Sequence, residues 1–163
     1  MSILFGIIMS TALTILGFKF ANKYYQHLRF FDDLIVFFEY LRNNLSFQSD
    51  TMNLVFSNYH DTTSDVGRLV QSLSSSNEHI SQDFLREELS KYSFLSANDK
   101  TQLIQFFNNF GTTDLDTQLQ NVDSILLWTK QRQKFAHTQC NEKGKMYRTL
   151  SVILGLVVLV IYI

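Results

Sequence analysis

Two stretches without any charged side chain limit what this chain can fold into. Residues 1–18 and 149–163 contain no Asp, Glu, Lys or Arg, so every charged side chain lies within residues 19–148. As α-helices, residues 2–18 and 149–163 would be about 25 Å and about 22 Å long, slightly short of the ~30 Å hydrocarbon core of a bilayer. Long flanking side chains and local thinning of the bilayer cover such a deficit. We therefore predict transmembrane helices at 1–18 and 149–163 around a polar middle.

Each apolar end has an alternative interpretation. A secretory signal peptide carries cations before its apolar core and small residues after it, whereas here Lys19 and Lys23 follow the apolar run. That order favours a retained membrane helix. Residues 149–163 could instead form a buried core helix, but fifteen consecutive uncharged residues favour a second membrane span.

The positions of the cations predict the orientation in the membrane. Lys and Arg adjoin both apolar stretches on the side of the polar middle, and none lies beyond them. The positive-inside rule then places residues 19–148 in the cytoplasm and both termini across the membrane. We expect the adjoining cations to act as membrane-interface anchors. They are Lys19, Lys23, Lys143, Lys145 and Arg148.

The polar middle is predicted to be helical. The sequence has no proline, and residues 24–45 carry apolar side chains at three- and four-residue steps, the pattern of an amphipathic helix. No helix breaker separates this pattern from the first span, and Gly144 is the only weak point before the second. We therefore predict an all-α protein. Its expected architecture is an antiparallel helical bundle whose two long helices continue into the N- and C-terminal transmembrane segments, with shorter helices between them.

Local capping residues predict where the shorter helices begin and end. Asp50 or Thr51 is positioned to cap a second helix. Ser96 and Asp99 have the spacing of a capping box, and Gly111 stands where a left-handed residue would end that helix. Thr113, with an acid three residues later, is predicted to cap the last helix of the middle.

No residue pattern points to catalysis or to a cofactor. The net charge of −1 argues against nucleic-acid binding. The four histidines, His27, His60, His79 and His137, are scattered, so no metal site is predicted. The glycines are isolated and form no phosphate-binding loop. The single cysteine, Cys140, lies beside a Lys/Glu cluster that could make it reactive, but we interpret it as a partly buried juxtamembrane thiol. We predict a protein that is not an enzyme and that needs no cofactor.

Two phenylalanine pairs widen the apolar stripe of the first long helix. They are Phe30, Phe31, Phe37 and Phe38. The simpler interpretation is that the four rings pack in the core. The alternative is that part of the stripe docks a partner, or the same helix of another copy in a homo-oligomer.

The residues that lead into the second span resemble a known family. Glu142-Lys-Gly-Lys-Met-Tyr-Arg-Thr-Leu-Ser-Val-Ile-Leu-Gly-Leu156 is similar to the corresponding element of the stage III sporulation protein AB family of endospore-forming bacteria. Residues 95–99 with 106–111, residues 114–118, and Gly17-Phe-Lys-Phe-Ala21 resemble further segments of that family. The family's Thr-Pro-Leu turn is replaced here within residues 44–53, whose role stays open.

The resemblance implies a role in a membrane complex. It implies a non-enzymatic platform subunit of the channel between mother cell and forespore, similar in fold to the cytoplasmic domains of type II secretion platform proteins. The implied partners are a cytoplasmic secretion-type ATPase and other membrane channel subunits. The implied location is the outer forespore membrane, with residues 19–148 in the mother-cell cytoplasm and both termini in the intermembrane space. The alternative function is a regulatory or signalling membrane adaptor, which would need a ligand pocket with converging polar groups.

Overall fold

The structure is a computed structural model that describes residues 2–47, 52–75 and 81–162. These residues form helices and turns and no strand, which confirms the prediction of an all-helical protein for the described part of the chain. The helices are α1 (Ser2–Phe47), α2 (Met52–Ser57), α3 (Asp65–Ser75), α4 (Gln82–Ser90), α5 (Ala97–Asn109), α6 (Leu115–Gln139) and α7 (Lys145–Tyr162), with a π-helical segment, Cys140–Gly144, between α6 and α7.

Both ends of the chain are continuous helices. α1 runs without a break from the apolar N-terminal stretch into the amphipathic one, because no proline interrupts its hydrogen-bond ladder. At the other end, α6 passes into α7 through the π segment, where the Lys145 N–H donates to the Cys140 carbonyl five residues earlier. A π segment widens one turn without ending the helix. Gly144 therefore lies in a continuous helical path and does not end it.

The local capping predictions largely hold. Ser96 and Asp99 form the predicted capping box at the start of α5, and Gly111 has the predicted left-handed backbone, with φ 83°. At α6 the cap differs by one residue. The Asp114 carboxylate accepts the Thr117 N–H at 3.1 Å, in the position predicted for the Thr113 hydroxyl. A carboxylate is the better acceptor at the positive end of a helix dipole. The predicted cap at residues 50–51 lies outside the described residues.

The chain divides into two compact units, which are described separately. The end unit comprises residues 1–28 and 134–163, and the central unit comprises residues 29–133. α1 and α6 each contribute residues to both units.

The core of the central unit is aromatic. Phe37 contacts Phe56 and Phe107, with ring centroids 5.9 and 6.3 Å apart, and Phe38 meets Phe106 edge-on at 5.0 Å. Edge-on and tilted pairs are favoured because the positive ring edge meets a negative ring face. These contacts join α1, α2 and α5 into one packed core.

A tight turn before α3 is held by one carboxylate. Asp61 accepts hydrogen bonds from the backbone N–H groups of Thr63 and Ser64 and from both of their hydroxyls, and these bonds lower the pKa of Asp61 to about 2. Gly67 packs directly against this turn, since a Cβ there would lie 1.7 Å from the Asp61 carbonyl oxygen. Only glycine can occupy this position without moving the backbone.

Candidate functional site: a helix pair with exposed apolar residues

In the end unit, large apolar side chains are exposed to the surroundings. Ile8 is 58% exposed, Leu156 is 59% exposed and Ile161 is 73% exposed. The same exposure extends along both α1 and α7. The exposed set is Phe5, Ile7, Ile8, Met9, Ile15, Leu16, Phe18, Phe20, Met146, Leu150, Val152, Ile153, Leu154, Leu156, Val157, Val160 and Ile161. A surface this apolar is unfavourable in water and marks a site of interaction or a membrane-facing surface.

The contacts between α1 and α7 are made by small residues. A Cβ at Gly17 would lie 2.1 Å from Ser151 Cβ, and a Cβ at Gly155 would lie 2.8 Å from Thr14 Oγ1 and 3.1 Å from Ser10 Oγ. Lower numbers in α1 pair with higher numbers in α7, so the two helices run in opposite directions where they touch. Close approach through Gly, Ser and Thr is typical of helix pairs in membranes.

The hydroxyl groups of this helix pair are satisfied within their own helices. Thr11 and Thr14 donate to carbonyl oxygens four residues earlier, at 2.7 and 2.9 Å, and Ser151 donates to the carbonyl three residues earlier, at 2.9 Å. In water, such a hydroxyl bond to a helix carbonyl slightly weakens the helix. In an apolar solvent it is favourable, because it gives the hydroxyl group an acceptor that would otherwise be missing. These three hydroxyls therefore need no water.

The end unit thus has the reverse polarity of a water-soluble helix pair. The close contacts between the helices are made by small residues, Gly17 with Ser151 and Gly155 with Ser10 and Thr14. The large apolar side chains of the exposed set face outward. Among the described residues, one helix is long and apolar enough to cross a membrane, the part of α1 within Phe5–Leu45, and 17% of its most apolar window is buried. That low burial distinguishes it from the core helix of a soluble protein. It supports an association of the chain with a membrane.

The five predicted anchor cations, Lys19, Lys23, Lys143, Lys145 and Arg148, are all exposed in the end unit. Aromatic rings lie beside them. The Arg148 guanidinium lies over the Phe18 ring, 4.9 Å from its centroid, and Tyr24 stacks on Tyr147 with centroids 6.1 Å apart. Cations and tyrosines are typical of the boundary between hydrocarbon and water.

The two units differ strongly in charge. The end unit contains six Lys and Arg and one acid, Glu142, for a formal charge of +5. The central unit contains eight Lys and Arg and fourteen Asp and Glu, for a formal charge of −6. The overall charge of −1 conceals this asymmetry.

The four phenylalanines considered as a partner face are part of the core. Phe31, Phe37 and Phe38 are 0% exposed and Phe30 is 1% exposed. Phe30 packs on Tyr92 at 5.3 Å and Phe31 on Trp128 at 5.9 Å, so both pairs are covered by the chain itself. The core interpretation therefore accounts for the positions of all four rings.

The central unit contains an ion pair of which the sequence indicated only one member. Asp99 is 0% exposed, and one of its carboxylate oxygens accepts hydrogen bonds from Arg132 Nη2 at 3.0 Å and from the Ser96 N–H and hydroxyl. Its other carboxylate oxygen lies 2.7 Å from Arg132 Nε in an ion pair. The spacing identified Asp99 as the capping-box acid but carried no signal for Arg132, which is 33 residues away. The pair joins the start of α5 to α6 and has the geometry of a structural contact.

Two clefts formed by described residues are open to solvent. One cleft, of about 210 Å³, lies between α5 and α6. It is lined by Gln102, Gln105, Phe106, Asn109, Phe110, Asn121, Ser124, Ile125 and Trp128. Within residues 2–47, 52–75 and 81–162, no three His, Cys, Asp or Glu side chains group as metal ligands. The predicted absence of catalysis, metal and cofactor stays a prediction.

Fold and surface together define a class: an all-helical protein that has, among its described residues, one helix long and apolar enough to cross a membrane. The sequence model described as Stage III sporulation protein AB matches residues 2–163, essentially the whole chain. The chain belongs to this family, which indicates a role in stage III of sporulation. No curated protein and no solved structure matches the chain.

Proposed function

We propose that this protein is a membrane-anchored, non-enzymatic platform subunit that acts in the channel complex between mother cell and forespore. The observation that carries the proposal is the reversed polarity of the end unit, with small residues between α1 and α7 and large apolar residues outside. Such a helix pair is stable in hydrocarbon, where every backbone group must be satisfied within the helices. The membership of the chain in a stage III sporulation family supports the cellular setting.

The proposed topology has two antiparallel spans and a cytoplasmic domain. Residues 1–18 of α1 and residues 149–163 cross the outer forespore membrane, and both termini lie in the intermembrane space. The exposed cations Lys19, Lys23, Lys143, Lys145 and Arg148 adjoin the spans on the cytoplasmic side, as the positive-inside rule requires. Residues 19–148 then lie in the mother-cell cytoplasm.

Labelling of single cysteines tests this topology. In a Cys140→Ser background, Ser2→Cys and Ser75→Cys introduce thiols near the N-terminus and in the middle of the chain. In protoplasts of growing cells, a membrane-impermeant maleimide added outside is expected to label residue 2 and to spare residue 75 until the cells are lysed. Labelling of residue 75 in intact protoplasts would overturn the topology, and release of the protein by alkaline carbonate would overturn the anchoring.

The proposed partners are a cytoplasmic secretion-type ATPase and other membrane subunits of the channel. Two exposed apolar residues of the central unit are candidate contact positions, Val36 at 59% and Leu127 at 61% exposure. They lie among the ion pairs Glu39–Lys130 and Arg42–Asp123, which join α1 to α6 on the same face. Apolar residues within a polar rim are typical of protein interfaces.

Photo-crosslinking during sporulation tests the ATPase contact. A photoreactive residue at position 36 or 127 is expected to form an adduct with the ATPase, whereas the same residue at the exposed polar position Gln105 serves as the matched control. Equal adducts at all three positions, or none with the ATPase, would count against docking on this face.

Self-association also stays a prediction, and light scattering of the detergent-solubilised protein measures it.

A further inference from the structure

We propose that the end unit contains a binding site for anionic phospholipid headgroups, formed by Lys19, Lys23, Lys143, Lys145 and Arg148. We name these five residues the cation belt. The inference rests on the proposed membrane anchoring and goes beyond it, because anchoring by apolar helices requires no particular headgroup. The ligand class is a lipid whose headgroup carries a net negative charge at its phosphate.

The first argument is the absence of counter-charges. In the central unit, six of the eight Lys and Arg side chains form ion pairs with Asp or Glu. In the end unit no ion pair involves any Lys or Arg among the described residues, and Glu142 is its single acid. Five exposed cations with so little opposing charge have a strong attraction for external anions.

The second argument is the spacing of the cations. Lys19 and Lys23 are four residues apart on α1, and Lys145 and Arg148 are three residues apart at the start of α7, so each pair shares a helix face. Like charges at these spacings repel each other. A phosphate oxygen between the two members of a pair replaces that repulsion with two attractive contacts.

The third argument is the placement of Arg148. Its guanidinium lies over the Phe18 ring, 4.9 Å from the centroid, so one face of the group is occupied by an apolar surface. The N–H groups of a guanidinium point outward in its plane, and a face-on ring leaves that edge available for bidentate contact with a phosphate. The ring thus holds the charge at the edge of the apolar region.

Apolar neighbours identify the source of the phosphate as a lipid. Phe20 is 61% exposed, Met146 is 52% exposed and Leu150 is 47% exposed, and each lies within a few residues of a belt cation. A free inorganic phosphate would gain nothing from these side chains. A phospholipid places its acyl chains on them while its headgroup meets the cations.

Fluorescence quenching by brominated lipids tests the proposal with the full chain. Trp128→Phe removes the native fluorophore, and Phe20→Trp places a new one beside Lys19 and Lys23. The protein is reconstituted in vesicles that contain brominated phosphatidylglycerol with plain phosphatidylcholine, or the reverse. The ratio of the two quenching efficiencies gives the relative affinity of the belt for the anionic lipid. Integration into each vesicle is verified separately by resistance to alkaline carbonate.

We expect the anionic lipid to be favoured at least fivefold, since one cation at an anionic surface contributes about fivefold in affinity. Neutralising Lys19, Lys23 and Lys145 to Gln is expected to lower the ratio at least fivefold. The matched control neutralises Arg68, Arg86 and Lys130, which are also exposed but belong to the central unit, and is expected to leave the ratio unchanged. The native preference is also expected to decrease as salt is raised.

Three results would overturn the inference. Equal quenching by both lipids in an integrated native protein would show anchoring without headgroup binding and would leave the proposed function intact. An equal loss of preference in the control variant would show an effect of overall charge. Relief of quenching by millimolar inorganic phosphate would identify a free-phosphate site. Failure to integrate into either vesicle would instead refute the membrane anchoring itself.

Discussion

Replacing Gly17 by alanine is expected to force α1 and α7 apart. The added Cβ would lie 2.1 Å from Ser151 Cβ and 2.4 Å from its Oγ, whereas ordinary contacts begin at about 3.4 Å. The helices must therefore separate by roughly 1.3 Å at this point, because the opposing Cβ is attached directly to the backbone. A clash as close as 2.1 Å belongs to the upper part of the range for overpacking, about 2–3 kcal/mol, and the higher helix propensity of alanine offsets about 1 kcal/mol. We expect a net loss of about 1–2 kcal/mol.

The single cysteine provides a native probe of this separation. Cys140 belongs to the same end unit, is 4% exposed, and burial raises the pKa of its thiol. Alkylation by a maleimide then requires opening of the unit, and its rate follows the population of the open state when reclosing is fast. A loss of 1–2 kcal/mol corresponds to an increase of about 5- to 30-fold in the rate for Gly17→Ala over the native protein at the same pH.

Gly144→Ala is the matched control. A Cβ there would lie 3.7 Å from Tyr24 and 3.8 Å from the Cys140 sulfur, which is ordinary contact. We expect its alkylation rate to stay within about twofold of the native rate, since no atom has to move. If the two alanine variants react equally fast, or if Gly17→Ala reacts no faster than the native protein, the close approach of α1 and α7 is not what stabilises the end unit.

Four further expectations concern the central unit, with unfolding followed by the fluorescence of the single tryptophan. Asp99→Asn should lower the free energy of unfolding by about 3 kcal/mol, because it leaves the Arg132 guanidinium without its carboxylate. Adding Arg132→Met should recover most of the loss. An unchanged stability of Asp99→Asn would refute the role of the pair. Gly67→Ala should cost about 2–3 kcal/mol, since its Cβ meets a backbone oxygen, and a neutral effect would contradict the packing of that turn. The pKa of Asp61 is lowered from 3.8 to about 2, so the ionised carboxylate stabilises the fold above pH 3.8 and this stabilisation is lost as pH falls through about 2. In an acid titration of stability, Asp61→Asn should therefore lack this decrease. Burial and neighbouring acids raise the pKa of Asp33, so its ionisation opposes folding above 3.8; Asp33→Asn should stabilise the protein at pH 7 and have no such effect below 3.8.

Helix limits followed closely from local chemistry. The capping box of Ser96 and Asp99 and the left-handed Gly111 involve groups a few residues apart, so their partners are visible in the sequence. The one-residue error at α6 has the same local origin. Thr113 and Asp114 are both favourable capping residues. In the folded turn, the Asp114 carboxylate is the group that accepts the Thr117 N–H.

Assignments that depend on what covers a helix face could not be made from the sequence. The periodicity of α1 showed that Phe30, Phe31, Phe37 and Phe38 belong to a wide apolar stripe, but not whether the stripe meets the chain itself or a partner. The structure buries all four rings under residues from other parts of the chain. Arg132 was missed for the same reason, because its partner lies in another helix.

By itself, the sequence determined the helical class, the two charge-free ends and the cations beside them, because composition, helical period and charge placement are properties of residues close together in the chain. Only the tertiary structure decided that Gly17 meets Ser151 and that the large apolar side chains of the end unit face outward. A helical period specifies which residues share a face. The neighbour of that face is selected by close packing between segments more than a hundred residues apart, and no local pattern encodes it.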